Sequence, residues 1–377
     1  MTGTASVRAL ALGLGLFVAG APAMGQSVTY EANPFLVFDW ESRFSAGVDL
    51  ADADGDGDLD VFLANGRHWA QPDFVYFNDG RARLLTARPL GDELGPSYIV
   101  RTGDLDSDGD VDALVVRDSV TSQVFLNDGS GQYILAGNVA GSDGPSRNAL
   151  LQDFDGDGAL DLLTVQRRGG ARLFPGNGNG SFAAAQRLPG ELRGATGAAA
   201  ADFDGDRQLD LVIACRDGGA SVILFNKGAR EWVPAPITGS EGDHRQVVAG
   251  DFNRDGHNDF VLASSGGKSV LRLGDGDGKF VTAGAIGEEG RLVQALATAD
   301  LDSDGDLDLV EAAGEQSNRV YFNDGMGRFS HITLEDEAED TYGIAIGDMN
   351  GDGMPDIVLA NSGSPNVVML AASADSE

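Results

Sequence analysis

One nine-residue pattern, Asp-x-Asp-x-Asp-Gly-x-x-Asp, recurs seven times along the 377 residues, starting at Asp52, Asp104, Asp153, Asp202, Asp251, Asp300 and Asp348. The intervals are 52, 49, 49, 49, 49 and 48 residues. A fixed period of this size marks one supersecondary unit stacked repeatedly in space, and it constrains the fold more than composition does. Seven units of 49 need 343 residues, and 342 lie from Tyr30 through Ala371. Nothing of comparable size is left over for a second domain.

Each unit reads as four strands. A small-residue apolar strand precedes the loop, as in Ser97-Tyr98-Ile99-Val100-Arg101-Thr102, and an apolar run such as Val61-Phe62-Leu63, Leu211-Val212-Ile213 or Ile357-Val358-Leu359 follows it. A third strand, such as Arg319-Val320-Tyr321-Phe322, ends in the hairpin-favouring turn Asn323-Asp324-Gly325. The fourth strand opens on an aromatic at Tyr133, Phe182, Trp232, Phe280 or Phe329. No helical periodicity competes. The fold expected is all-β, a seven-bladed β-propeller of four-stranded antiparallel blades. The last unit stops after its third strand at Val367-Val368-Met369-Leu370, while Pro34-Phe35-Leu36-Val37-Phe38 is an orphan fourth strand. Phe35 precedes Asp52 by 17 residues, as Phe329 precedes Asp348 by 19. The N-terminal strand is therefore expected to complete blade seven and close the ring, removing two exposed edges.

Residues 1–25 carry one cation, Arg8, an apolar run from Ala9 to Ala19, and the small-residue stretch Ala21-Pro22-Ala23-Met24-Gly25. They read as a secretory signal cleaved near Ala23 or Gly25, which places the mature chain in the periplasm or outside the cell. The domain division expected is a signal at 1–25, a propeller at 26–371 and a short tail at 372–377. No later stretch approaches the ~20 apolar residues of a membrane span. Lys and Arg number 26 against 59 Asp and Glu, a formal net charge of −33, which loss of Arg8 takes to −34. That balance argues against nucleic acid, whose binding relies on cations meeting phosphates. Cys215 is the one cysteine, so neither an internal disulfide nor a Cys-based metal site is available.

Carboxylates at loop positions 1, 3, 5 and 9, with glycine at 6 for the turn, suit a hard cation seeking six or more oxygens, and position 7 would add a backbone carbonyl. The first loop offers Asp52, Asp54, Asp56 and Asp60 with Asp58 at position 7. The second offers Asp104, Asp106, Asp108 and Asp112 with Asp110, and the third Asp153, Asp155, Asp157 and Asp161 with Ala159. The fourth offers Asp202, Asp204, Asp206 and Asp210 with Gln208, and the fifth Asp251, Asn253, Asp255 and Asp259 with His257. The sixth offers Asp300, Asp302, Asp304 and Asp308 with Asp306, and the seventh Asp348, Asn350, Asp352 and Asp356 with Met354. An EF-hand would need flanking helices and Glu at position 12, where only Glu311 is acidic. Two carboxylates ~4 Å apart repel by ~4 kcal/mol at an effective dielectric of 20, so a filling cation is expected. Seven Ca²⁺ would take −34 to about −20, one ion per blade. A polar turn uses the same residue types, but chance does not repeat nine positions seven times. Arg207 replaces the glycine of the fourth loop, and Asn253 and Asn350 each remove a charge. The Asp202–Asp210 site is expected to bind most weakly.

These residues resemble a known family. Asp104-Leu105-Asp106-Ser107-Asp108-Gly109-Asp110-Val111-Asp112, followed by a strand and Phe125-Leu126-Asn127-Asp128-Gly129, looks like an FG-GAP-like (VCBS) repeat, similar to the calcium-binding blades of integrin α-subunit propellers. The resemblance covers all seven units and implies Ca²⁺ between the first and second strands of each blade. Integrin propellers imply adhesion, and a seven-bladed fungal lectin with similar loops implies sugar binding.

Up-and-down strands send the aspartate loops to one face and the second-to-third-strand and blade-to-blade connections to the other. By analogy with integrins the partner uses the second face. It should carry Arg67, His68, Trp69, Arg117, Arg167, Arg168 and Arg216, with Arg43, Arg147, Arg193, Arg245 and Arg291 at first-strand entrances. Such a face offers an anionic ligand local attraction, unless the arginines pair with acids such as Asp118, Asp217 and Glu241. Blade one has three extra residues, within Asn65-Gly66-Arg67-His68-Trp69-Ala70-Gln71-Pro72, where an aromatic beside cations suits a sugar or a peptide, or else covers the next blade. Gly266-Gly267-Lys268-Ser269 and Gly176-Asn177-Gly178-Asn179-Gly180 read as turns rather than phosphate loops, and Cys215 as a packed thiol. The function expected is a monomeric, non-enzymatic recognition or adhesion module for a protein or acidic glycan. A lectin would show repeated aromatic pockets. A polysaccharide-cleaving enzyme would show one non-repeated cluster of His, Arg or Tyr on one face.

Overall fold

The computed structural model describes residues 28–334 and 339–373. The signal expected at 1–25 and residues 374–377 of the tail lie outside that range. The described residues form twenty-eight strands in seven four-stranded antiparallel sheets. Blade one uses Ser45–Ala51, Asp60–Asn65, Phe74–Phe77 and Thr86–Pro89, counted outward. The first strands of the later blades are Ser97–Gly103, Ser146–Gln152, Ala195–Ala201, His244–Gly250, Val293–Ala299 and Thr341–Gly347. Each packs against the first strands of both neighbours, including Thr341–Gly347 against Ser45–Ala51, so the seven blades form a ring. The inner strands stand close: a Cβ on Gly47 would lie 2.7 Å from the Tyr98 carbonyl oxygen.

The second strands build the core. All six residues of each are buried, and strand periodicity sends alternate ones to opposite neighbours. Phe62 and Ala64 of blade one pack with Val100, Ala113, Val115 and Phe125 of blade two. Val61 and Leu63 pack with Val358, Ala360 and Val368 of blade seven. Every second strand is thus sandwiched between blades, which is why these runs are apolar throughout instead of alternating. At about 1.5–3 kcal/mol per large buried side chain, this packing is the main adhesive between blades.

The N-terminal strand closes the ring, but six residues earlier than the sequence suggests. Val28–Phe38 pairs with Asn366–Ser373 as the outermost strand of blade seven. The aromatic of the fourth-strand position is Tyr30, opposite Ala371, and not Phe35. Tyr30 donates its hydroxyl to the Pro355 carbonyl at 3.2 Å, as Tyr133 of blade two does to Val111 at 2.9 Å. Phe35 sits in the register irregularity between Ala32 and Val37 and is 83% exposed. Spacing picked the wrong aromatic because Asn33-Pro34 carries the strand through a bulge. In blade three the fourth strand shrinks to Gln186–Arg187, and Phe182 keeps only an isolated bridge to Gly176. The two glycine-rich stretches are turns between strands, and Cys215 is buried.

Tyr30→Ala should lower stability by about 3 kcal/mol and broaden the unfolding transition as the closing strand loosens. Phe35→Ala should change it by less than about 0.5 kcal/mol. Chemical denaturation of both variants checks the assignment, and equal losses would contradict it.

Candidate functional site

The aspartate loops are built first by their own backbone. Position 1 accepts two or more loop N–H groups: Asp52 takes those of Gly55 at 2.8 Å, Asp56 at 3.2 Å and Gly57 at 3.0 Å. Position 6 is left-handed in all seven blades, from Gly57 at φ 97° to Arg207 at φ 70°. Position 4 is left-handed as well, and there Ser107, Arg254 and Ser303 hold the conformation without glycine. That second constraint was invisible in the repeat, because Gly, Ser and Arg share the position.

Position 9 is a structural joint. Asp60 is buried; one of its oxygens accepts the Ala53 N–H and the other the Asn78 N–H, both at 2.8 Å. Asp112, Asp161, Asp210, Asp259, Asp308 and Asp356 repeat that pair of contacts. Burial pushes the Asp60 carboxyl up to about 6 and that of Asp308 to about 7. The third-strand asparagines do more than turn a hairpin. Asn127 donates to the Ala53 carbonyl of the preceding blade's loop at 2.8 Å, and Asn226 and Asn323 make the same inter-blade bond.

Position 3 is where a cation fits. One carboxylate oxygen each of Asp54, Asp106 and Asp302 is buried without a hydrogen-bond partner. An anionic atom removed from water with nothing to balance it is costly. Burial first, and neighbouring loop aspartates second, hold all three carboxyls above the usual carboxylate range. In five loops three carboxylates bring oxygens within 4.8 Å of one another, for example Asp104, Asp106 and Asp108. All-oxygen donors at this density suit a hard divalent ion. The loops are unequal. In blade four the Lys227 ammonium pairs with Asp204, and lies 3.3 Å from Asp206. In blade six Arg254, reaching from the fifth loop, pairs with Asp306.

The opposite face carries a cavity of about 350 Å³ on the ring axis. In every blade the pairing of first and second strands slips by one residue at the same place, a β-bulge. The residues at these slips are Ala46, Tyr98, Arg147, Thr196, Arg245, Gln294 and Tyr342, spaced like the loops, and all seven line the cavity. A bulge re-aims a side chain that regular pairing would point elsewhere. The frame repeats; the side chains on it do not.

Arg67, His68, Arg167 and Arg216 reach the same cavity from second-to-third-strand connections. Tyr98 Oη and His68 Nε2 are 3.0 Å apart, and His68 Nδ1 lies 2.7 Å from Asp118. Arg147 stacks over the Tyr98 ring at 4.3 Å and pairs with Asp118 at 3.1 Å. Burial alone would raise the Asp118 carboxyl, but the Arg147 guanidinium outweighs it and holds the group low. Arg67 donates to Tyr342 Oη at 2.6 Å and pairs with Asp340 at 3.5 Å. Arg167 grips Asp217 with two bonds of 3.0 and 2.9 Å. Asp243 lies 3.2 Å from Arg216 and 3.8 Å from Arg245. The acids at the rim are therefore Asp118, Asp217, Asp243 and Asp340; Glu241 is in no ion pair described.

Other arginines expected on this face lie apart from the axis. Arg117 is buried, 3.7 Å from Glu93. Arg291 is buried against Glu311, and Arg43 pairs with Asp39 and Glu41. Arg291 finds its acid on the second strand of its own blade, and Arg43 finds two on the connection from the closing strand into blade one. Arg168 and Arg193 line a separate cavity of about 600 Å³. Trp69 is 65% exposed, so it does not cover the next blade. Trp40, on the connection into blade one, is equally exposed and carried no repeat signal.

A profile of the FG-GAP-like repeat matches residues 52–115, 153–213, 202–262, 251–311 and 300–359. Among curated proteins none matches the sequence. Several solved structures share the fold. A BP39L lectin from Burkholderia pseudomallei aligns with a TM-score of 0.66 at 14% identity, over 88% of this chain and 97% of that one. An Agrocybe aegerita lectin, solved for its specific recognition of non-reducing terminal N-acetylglucosamine, aligns with a TM-score of 0.56 at 19% identity, over 85% and 86%. BBS1N, solved in complex with ARL6DN, aligns with a TM-score of 0.59 at 11% identity, over 94% and 95%. At these identities the likeness is one of fold.

Arg207→Gly should stabilise the protein by about 1 kcal/mol, because it relieves a left-handed non-glycine residue. Measured in chelator, that gain reports the backbone alone; a loss would show that the Arg207 side chain earns its place.

Proposed function

The chain belongs to the FG-GAP-like repeat family, and we propose that it is an exported, calcium-binding recognition module that holds a protein or glycan partner on its arginine-bearing face. One observation carries the reading: seven geometrically equivalent bulges converge on one axial cavity with chemically different side chains. A purely structural ring has no need of that diversity, whereas a binding site does. The two lectins of similar fold support a glycan, and the BBS1N complex supports a protein partner on such a ring. The exposed Trp69, beside His68 at the cavity rim, supplies a contact outside the axis.

In this proposal calcium sits in the aspartate loops and acts on stability, far from the partner. The ligands are the side chains of positions 1, 3, 5 and 9 with the carbonyl of position 7; in the first and third loops Asp60 and Asp161 of position 9 stand in the carboxylate cluster while also bracing the loop. Each ion at 100 times its Kd would add about 2.7 kcal/mol. Blade four is the weakest site, since the Lys227 ammonium already balances one of the two charges of Asp204 and Asp206.

A polysaccharide-cleaving enzyme is the second reading, and one observation favours it. Asp118, His68 and Tyr98 form a hydrogen-bonded chain beside Arg147, an arrangement able to move a proton at the Tyr98 hydroxyl.

Three outcomes are expected. Chelation should lower the unfolding midpoint by ten degrees or more, and added Ca²⁺, but not Na⁺, should restore it; an unmoved midpoint counts against calcium. Calorimetric titration should count fewer strong sites in the wild type than in the Lys227→Met, Arg207→Gly double variant. On a glycan array and a panel of surface proteins, binding should fall at least tenfold in His68→Ala, Trp69→Ala. Release of new chain ends from acidic polysaccharide, abolished by Tyr98→Phe, would instead favour the enzyme.

A further inference from the structure

We propose that the axial cavity is a subsite for one carboxylate-bearing sugar residue, a uronic acid, which it recognises by a single excess guanidinium charge and a surrounding set of neutral hydrogen-bonding groups. The inference rests on the recognition reading above and names the chemistry of its ligand.

The charge count comes from the ion pairs. Five guanidinium groups meet at the cavity, and four carboxylates answer them. Arg67 has Asp340, Arg147 has Asp118 and Arg167 has Asp217. Arg216 lies between Asp243 at 3.2 Å and Asp217 at 3.6 Å, and Arg245 has Asp243 at 3.8 Å, so on that side of the ring three guanidinium groups share two carboxylates and one positive charge is in excess. Burial first, and the Arg245 cation next, hold the Arg216 guanidinium below its ordinary range, against the pull of Asp243 and Asp217. The Nε atoms of Arg67 and Arg245 are buried without a hydrogen-bond acceptor, so the cavity also has donors to spare. One excess charge matches a monoanion, and planar guanidinium forks match a carboxylate.

The neutral groups point to a sugar. Between the two arginines at the bulge positions stands Thr196, which donates its hydroxyl to the His244 carbonyl at 3.1 Å and keeps its acceptor lone pairs. Gln246, which accepts from Asn148 at 2.9 Å, and Gln294, which accepts from Arg245, line the same cavity with their amide N–H groups, together with Tyr98. Such groups serve the hydroxyls of a pyranose; the methylene stem of an acidic amino-acid side chain would leave them unmatched. About 350 Å³ is at the small end of ligand sites, which fits a sugar residue and not a folded protein surface.

Calorimetry on the full chain in calcium, with methyl glucuronide, methyl galacturonide, methyl glucoside, glucose 6-sulfate and a short aspartate-rich peptide, tests this. A uronide should bind at least tenfold more tightly than methyl glucoside, the sulfated sugar and the peptide. Arg245→Gln should weaken it at least tenfold, with Arg245→Lys restoring part, while Arg328→Gln on the opposite face changes nothing. An unchanged unfolding midpoint in Arg245→Gln separates lost binding from lost fold. Equal affinity for glucoside and uronide, or preference for sulfate or peptide, overturns the proposal. If array ligands bind the face and Arg245→Gln leaves them unaffected, this subsite fails and the recognition reading stands. If nothing binds that face at all, both fall.

Discussion

A buried carboxylate holding two backbone N–H groups from separate stretches of chain is the contact on which each blade depends. In blade two Asp112 fastens Leu105, at the start of its loop, to Asn127, at the end of the third strand. The loop is thereby pinned to the sheet that it connects, and the first three strands cannot slide past one another. Because the same aspartate appears in all seven units, the register of the ring is set seven times over. Asparagines such as Asn127 then reach back to the preceding loop, so that the joint also ties blade to blade.

Fixing the frame this firmly frees the axis. The one-residue slip in each first strand presents a side chain at the hub without disturbing the pairs that follow it. Substitutions at such a slip alter the cavity and leave the ladder intact, which is how a repeat with near-identical loops can hold Ala, Tyr, Arg, Thr, Arg, Gln and Tyr at one position. In the proposed reading, stability and recognition are divided between faces. Acids crowd the rim where loops need charge, and the arginines of the other rim are mostly, but not wholly, balanced by Asp118, Asp217, Asp243 and Asp340. The single shortfall, around Arg216 and Arg245, is what the proposed preference of the hub for a negative charge rests on, in a chain whose formal net charge is −33.

The blades differ where charge has been exchanged for a built-in cation. Lys227 in blade four and Arg254 at the sixth loop place side-chain nitrogens among the aspartates, whereas Asp54 and Asp106 of the first and second loops keep a buried oxygen without a partner. On the proposed calcium reading, a ring so arranged responds to ions unevenly around its circumference.

The sequence by itself determined the number of blades, the order of strands within them, the loops and the face bearing the arginines, because each is written as a period or as a run of residues close together in the chain. It also gave ring closure, although it chose Phe35 over Tyr30, since a bulge alters the count without altering the residues. Only the tertiary structure decided which arginines meet. Arg67 and Arg245 are 178 positions apart, and what unites them is the rotation of one blade onto the next. Arg117 and Arg291 looked the same in sequence and were buried against Glu93 and Glu311. Whether a guanidinium faces a neighbour or a cavity depends on distances across the ring, and a linear pattern holds no record of those.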